Sequence, residues 1–198
     1  MEEHLIKTNL SEQLRDFDNL LDKNLTLHVF DIDCSKMERY GELIFDKRKE
    51  SYLGRLYESL DNISTSAIYW FEYSSVEEAE ESEKDYLKFK NDQIKRFKGT
   101  EKYRSTPALN KNTGSKYFYV GVRKGGKRKR DGLTHIAGRI YHHLGCYSKG
   151  STSGLQLVHW SNKTIRLSVL ELPKGASKYL YILEKFYAIK LRPLLGRH

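Results

Sequence analysis

Apolar positions in the first third of the chain fall into helical and strand periods by turns. Over 9–23, Leu14, Phe17, Leu20 and Leu21 recur at helical spacing behind Ser11, a good N-cap residue, and predict a helix. Residues 25–32 (LTLHVFDI) alternate and predict a strand. Leu43, Tyr52, Leu53, Leu56, Tyr57 and Leu60 suggest a helical region over 36–61, and the aromatic run 66–74 (SAIYWFEYS) a second strand. A charged helix is expected over 76–98, acids first and bases last as the helix dipole prefers, with few large apolar residues and hence mostly exposed. Residues 106–115 read as a loop. A strand at 116–122 runs into the basic loop RKGGKRKRDG, and a helix over 133–145 ends at Gly145. Two further strands are expected at 155–160 and 164–172, and a helix over 178–192 stopped by Pro193. The expected fold class is α/β in the α+β sense: a small antiparallel sheet flanked by helices, with a helical N-terminal extension over 1–63. The rest of the chain, 64–198, would form one domain, with the stretch 74–116, which bears the charged helix, lying between its two aromatic strands.

Charge changes this picture through its distribution. Of the net +9, residues 121–198 supply +13, with 16 Lys and Arg against three Asp and Glu, so residues 1–120 are net −4. Ordinary surfaces mix both signs, and so one-sided a stretch reads as a polyanion-binding surface as well as a solvated basic face. The length, 198 residues, suits one domain with a real core. No apolar run reaches membrane-span length, and the N-terminus lacks the pattern of a secretory signal. Cys34 and Cys146 form neither a disulfide framework nor a C-x-x-C pair, so a reducing cytoplasm is the expected compartment.

Three features of the C-terminal half can carry chemistry. Glu184 has Leu180, Tyr181, Tyr187 and Ala188 as its helical neighbours. A carboxylate in such a stripe calls for a partner, either a metal ion or a salt bridge to Lys185 or Arg192. Arg139 and His143 stand four residues apart, on one helical face. Arginine would offer a planar fork for phosphate oxygens and histidine a hydrogen bond to water or a phenol. Tyr69 and Tyr119 lie on two strands that can be neighbours, as site residues or as ordinary core tyrosines.

Taken together in order, these residues resemble the GIY-YIG nuclease family. Ala67-Ile68-Tyr69 stands where the family has Gly-Ile-Tyr, and Tyr119-Val120-Gly121 where it has Tyr-Ile-Gly. Arg139 with His143 matches its Arg and His four residues apart. Glu184 with Pro193 matches its Glu followed nine residues later by Pro. The resemblance covers about residues 64–198. The family's Asn, twelve residues after the Glu, falls at Gly196, which leaves room for another donor such as His198. The long gap between the tyrosines points to the restriction-enzyme branch.

The resemblance implies a metal-dependent DNA endonuclease, sequence-specific and of restriction type. Glu184 would bind one Mg²⁺ or another divalent cation such as Mn²⁺, and Arg139 would hold the phosphate oxygens. Tyr69, as a phenolate favoured by nearby cations, would take the proton of the attacking water, and Tyr119 and His143 would orient that water or Tyr69. Arg123, Lys124, Lys127, Arg128, Lys129 and Arg130 would contact the DNA backbone, giving affinity without sequence reading. Double-strand cleavage needs two sites, which suggests a homodimer. A non-catalytic nucleic-acid-binding module on a decayed nuclease scaffold is the alternative, and a protein-interaction domain with a basic half is a third reading.

Overall fold

A computed structural model of the chain describes residues 25–37, 52–129, 132–146 and 153–196, together with Arg15 and Asn19. Among these residues the fold is α+β, with four antiparallel strands and four helices. The strands are β1 (Leu27–Asp33), β2 (Ala67–Glu72), β3 (Tyr117–Arg123) and β4 (Thr164–Glu171), in the order β1-β4-β2-β3. The helices are α1 (Gly54–Asn62), α2 (Val76–Phe97), α3 (His135–Leu144) and α4 (Leu180–Leu191). β1, from the stretch ahead of residue 64, is thus an edge strand of the same sheet, paired with β4 from Leu27↔Leu170 to Asp33↔Thr164.

Register puts two different faces on this sheet. Ala67, Tyr69 and Phe71 of β2 lie opposite Arg123, Gly121 and Tyr119 of β3, and opposite Glu171, Val169 and Leu167 of β4. Side chains alternate along a strand, so these residues share one face. That face holds the main core, with Ile32, Ile165, Leu60, Ile136 and Ile140 all buried. Ile68 and Trp70 point the other way, into a smaller cluster with Leu172, Ala176, Tyr179 and Leu183 at the start of α4. Burying a Leu- or Ile-sized side chain is worth roughly 1.5–3 kcal/mol. The larger cluster therefore fixes α3 and α1 against the sheet more firmly than the smaller one fixes α4.

Most expected elements appear with identifiable caps. α2 starts at Ser75, whose hydroxyl accepts from the Glu78 N–H at 3.2 Å, and it buries only Ala79, Ser82, Tyr86 and Gln93. α3 starts at Thr134, whose side chain accepts from the Ala137 N–H. It stops at Gly145 in the left-handed region, φ 88°. Two expectations need correction. The run 155–160 is not a strand but a short 3₁₀ turn at Leu157–His159, entered through Gln156 at φ 61°. Its backbone is spent elsewhere: the Leu155 N–H goes to His143, and the neighbouring Gly154 N–H to the Ser105 carbonyl. Of the helical region expected over 36–61, the described residues show Lys36 ending a 3₁₀ turn that starts at Cys34, an extended Met37, and a helix from Gly54. Residues 38–51, and the helix expected over 9–23 apart from Arg15 and Asn19, lie outside the described residues. No described helix is long and apolar enough to cross a membrane.

Candidate active site

The site grows from the pairing of β2 with β3. Tyr69 sits opposite Gly121, two residues beyond Tyr119 on the same face. A side chain at Gly121 would place its Cβ 2.5 Å from Tyr69 Oη and 2.7 Å from Cζ. Glycine is what lets the Tyr69 phenol lie across β3, next to the Tyr119 ring at 6.2 Å between centroids. The glycine of the Tyr-x-Gly sequence is therefore a positioning residue for the other tyrosine.

α3 supplies the polar partners from above this face. Arg139 Nε donates to Tyr69 Oη at 3.2 Å, one Nη to Tyr119 Oη at 3.2 Å, and the other to the Ser153 carbonyl at 2.7 Å. His143, one turn on, meets Tyr69 Oη through Nε2 at 3.0 Å. Its other nitrogen, Nδ1, accepts from the Leu155 N–H at 3.2 Å. A nitrogen that accepts carries no proton, so the proton of neutral His143 is on Nε2 and is donated to Tyr69. Two N–H donors thus converge on Tyr69 Oη, and its own proton points away from both. The segment 153–155 is the strap that fixes the Arg139 fork and the His143 tautomer together. Gly154 lets it pass close, since a Cβ there would meet the His142 carbonyl at 2.6 Å.

Burial sets the charge states. His143 is fully buried, and desolvation, then the charges of Arg139 and Arg123, hold its pKa well below the usual imidazole range. It is neutral at pH 7. Burial works against the charge on Arg139, but the phenols of Tyr69 and Tyr119 outweigh it, and Arg139 stays cationic. Burial also pushes the Tyr119 phenol up, assisted by Tyr69 and opposed by Arg139. The cluster is a buried cation held by two phenols and a backbone carbonyl, with a neutral imidazole alongside.

Glu184 approaches from α4, which packs chiefly on β3. It is half-buried and has no hydrogen bond or ion pair among the described residues. Desolvation raises its pKa, while Arg123, Lys185 and Arg139 act through space to lower it. The salt bridge to Lys185 or Arg192 left open by the sequence does not form. The basic loop divides. Lys124, Lys127 and Lys129 are exposed, whereas Arg123 donates to the Val122 carbonyl beside it at 2.9 Å. Arg128 lies across α3 at Gly138, where any Cβ would collide with its guanidinium. Arg130 lies outside the described residues, as does His198.

Four of the five expected site residues, Tyr69, Tyr119, Arg139 and His143, come together in one hydrogen-bonded cluster, and Glu184 lies within electrostatic reach of it. Gly121, Ser153, Gly154 and Leu155 are the participants that residue-type reasoning missed. Gly121 carried a signal in its motif; the strap acts through backbone atoms and carried none. At Gly196 the backbone N–H donates to the Ala108 carbonyl, and the nearby Pro193 carbonyl accepts from the side-chain amides of Asn110 and Asn112 at 2.9 and 2.8 Å. Among the described residues no group of three or more His, Cys, Asp and Glu could form a metal cage. Searches against protein-family models, curated proteins and solved structures found no match to this chain.

Proposed function

We propose that this chain is a metal-dependent endonuclease that hydrolyses DNA phosphodiester bonds, built in the manner of the GIY-YIG nucleases. The observation that carries the reading is the Arg139–Tyr69–His143 cluster, with Tyr119 on the adjoining strand. A cation buried among phenols and a neutral imidazole is expensive unless the arrangement is used. Its fork geometry suits phosphate oxygens. Arg139 would offset charge on the phosphorane-like transition state. Tyr69 would act as the phenolate, formed by loss of its own proton to solvent, with its negative Oη facing the N–H groups of Arg139 and His143; taking the proton of the attacking water would return it to the neutral phenol. His143, neutral and locked by the Leu155 N–H, would orient Tyr69 rather than exchange protons itself. Tyr119 keeps its proton and can donate it to the water or the phosphate.

The residues present fit one divalent cation of the Mg²⁺ type. Such ions bind through one or two carboxylates and keep several waters, so a protein cage is not required. Glu184, desolvated and without a protein partner among the described residues, is the ligand they offer. When bound, the metal supplies Lewis-acid polarisation of the phosphate and neutralises the leaving oxygen. Lys124, Lys127 and Lys129, with Arg123 and Arg128 nearer the cluster, would hold the DNA backbone. A restriction-type enzyme acting on both strands needs two sites, and α4 offers a surface for a second copy. Tyr181, Ile182, Phe186 and Ile189 are 70%, 59%, 59% and 79% exposed. Cys34 and Cys146 are free and buried, which agrees with a cytoplasmic protein.

Gly196 and the lone carboxylate favour a second reading, a nucleic-acid-binding module that has lost catalysis. Supercoiled-plasmid nicking with Mg²⁺, and with EDTA in its place, separates the two. The nuclease reading expects nicking with metal alone. DNA retention at low salt with no nicking under any divalent cation would replace it with the binding module.

A further inference from the structure

A cleft of about 490 Å³ opens between the 110–112 segment and the C-terminal half of α4, away from the buried cluster. Lys111, Lys185 and Arg192 line it, together with Asn110, Asn112 and Pro193. None of the three cations has a carboxylate partner among the described residues. The C-terminal carbonyls of α4, which attract cations through the helix dipole, are otherwise engaged. Ala188 accepts from the Arg192 N–H, Leu191 from the Ser115 hydroxyl, and Pro193 from the amides of Asn110 and Asn112. Lys111 and Arg192 are left to the cleft, and the Lys185 ammonium lies at its edge, 5.6 Å over the Tyr181 ring.

Arg192 adds an independent observation. It caps α4 in the left-handed region, φ 50° and ψ 54°, where helices usually place glycine. One of only two non-glycine residues at positive φ among those described is thus an arginine on the wall of a basic cleft. Backbone strain at a non-glycine residue persists where the side chain has a use.

We infer that this cleft is a second phosphodiester-binding tract, which holds the DNA strand beyond the scissile position. The inference rests on the nuclease reading of the neighbouring site. Lys185 follows Glu184 directly, so the tract begins beside the proposed metal ligand. From Lys185 to Arg192 the helix rises by about 10 Å, at 1.5 Å per residue. One DNA strand rises about 3.4 Å per nucleotide, so two to three phosphates pass over this length. The basic loop after β3 and the cleft would then hold the backbone on either side of the cut.

The test is fluorescence anisotropy with a short DNA duplex in EDTA, titrated with salt. It uses wild type, the triple variant Lys111→Ser, Lys185→Ser, Arg192→Gly, and Arg192→Gly alone. Each lost phosphate contact makes the slope of log K against log salt shallower by about 0.9. The triple variant should therefore lose two to three units of slope. Arg192→Gly should bind less tightly, with a melting temperature at or above wild type, because glycine relieves the left-handed cap. A melting temperature kept while affinity falls separates lost contacts from misfolding. An unchanged slope in the triple variant, with wild type binding well, overturns the tract and leaves the nuclease reading intact. Wild type that fails to bind the duplex at low salt overturns both.

Discussion

α3 and α4 both lie in the basic half of the chain and both bring residues to the proposed site, yet they are built in opposite ways. Of the ten residues of α3, eight are buried, and Arg139 and His143 are among them with every polar contact to protein. α4 buries only Leu183 and Ala188, and its outer stripe of Tyr181, Ile182, Phe186 and Ile189 faces outward. Glu184 on α4 has no protein partner among the described residues. In this account α3 is the finished half of the site, preorganised by the core. α4 is the half completed by other molecules: metal at Glu184, DNA along the cleft, and a second copy on its apolar face.

The largest effects are expected on α3. Arg139→Ala should lower activity by more than about 10³-fold, because it removes the charge held for the phosphate. It should also destabilise, by roughly 1–3 kcal/mol for each buried group it leaves unsatisfied. The Ser153 carbonyl and the Tyr119 hydroxyl are the exposed losses. Denaturant melts beside cleavage rates check both; a variant with full stability would mean that the fork is not structural.

Glu184→Gln on α4 should abolish cleavage and leave the fold intact, the reverse balance. The folded-state pKa of Glu184 is raised, chiefly by burial, so the folded protein holds this proton to higher pH than the unfolded chain. Ionised Glu184 therefore costs stability at neutral pH, and the cost disappears as pH falls through the raised value. Melting temperatures from pH 4 to pH 8 should show Glu184→Gln equal to or above wild type at pH 8, with the gap closing toward acid. A variant melting well below wild type at pH 8 would show that Glu184 has a stabilising partner.

Gly121→Ala is expected to act on α3's partners rather than on α3. The added methyl displaces Tyr69, so the bonds from Arg139 and His143 lengthen. Overpacking of this kind costs about 1–3 kcal/mol. Activity should fall with stability, and the Tyr69 resonances should shift in NMR spectra; unchanged chemical shifts would show that the phenol does not depend on this glycine. The smallest effect on folding belongs to Phe186→Asp with Ile189→Asp. These exposed positions should move monomer stability by about 0.5 kcal/mol or less. Sedimentation should show dimer in wild type and monomer in the pair. A monomeric wild type at micromolar concentration would remove α4's apolar face as a self-association surface.

How much of this was readable beforehand depended on where each residue's information lies. Residue patterns placed α3, α4 and all four strands, through alternating or helical apolar positions and aromatic runs, and the order of acids before bases placed α2. Gly145 marked the end of α3, since only glycine takes its φ without strain. It was the resemblance to the GIY-YIG pattern that put Tyr69, Tyr119, Arg139 and His143 in one group; each alone read equally as an ordinary core or surface residue. The strap over 153–155 was not readable, because the Ser153 carbonyl and Leu155 N–H act through backbone that every sequence has. The same strap explains the misread strand: Leu155 and Leu157 alternate as strand residues do, but the backbone bonds there go to His143 and Ser105. That Arg128 of the basic loop also lies across α3 at Gly138 is a tertiary contact that no residue pattern carries.

The central claim is that Tyr69, held by Arg139 and His143, accepts the proton of the attacking water. Single-turnover cleavage of a DNA duplex by wild type and Tyr69→Phe, in Mg²⁺ and across pH, tests it most directly. The phenylalanine keeps the ring but leaves the N–H groups of Arg139 and His143 without their acceptor, so stability should fall by roughly 1–3 kcal/mol for each, and rates are compared below the melting transition of the variant. Loss of a general base is worth about 10²–10⁴ in rate. A drop of that size is expected in a folded variant that still binds the duplex. A folded Tyr69→Phe that cuts at close to the wild-type rate would contradict it.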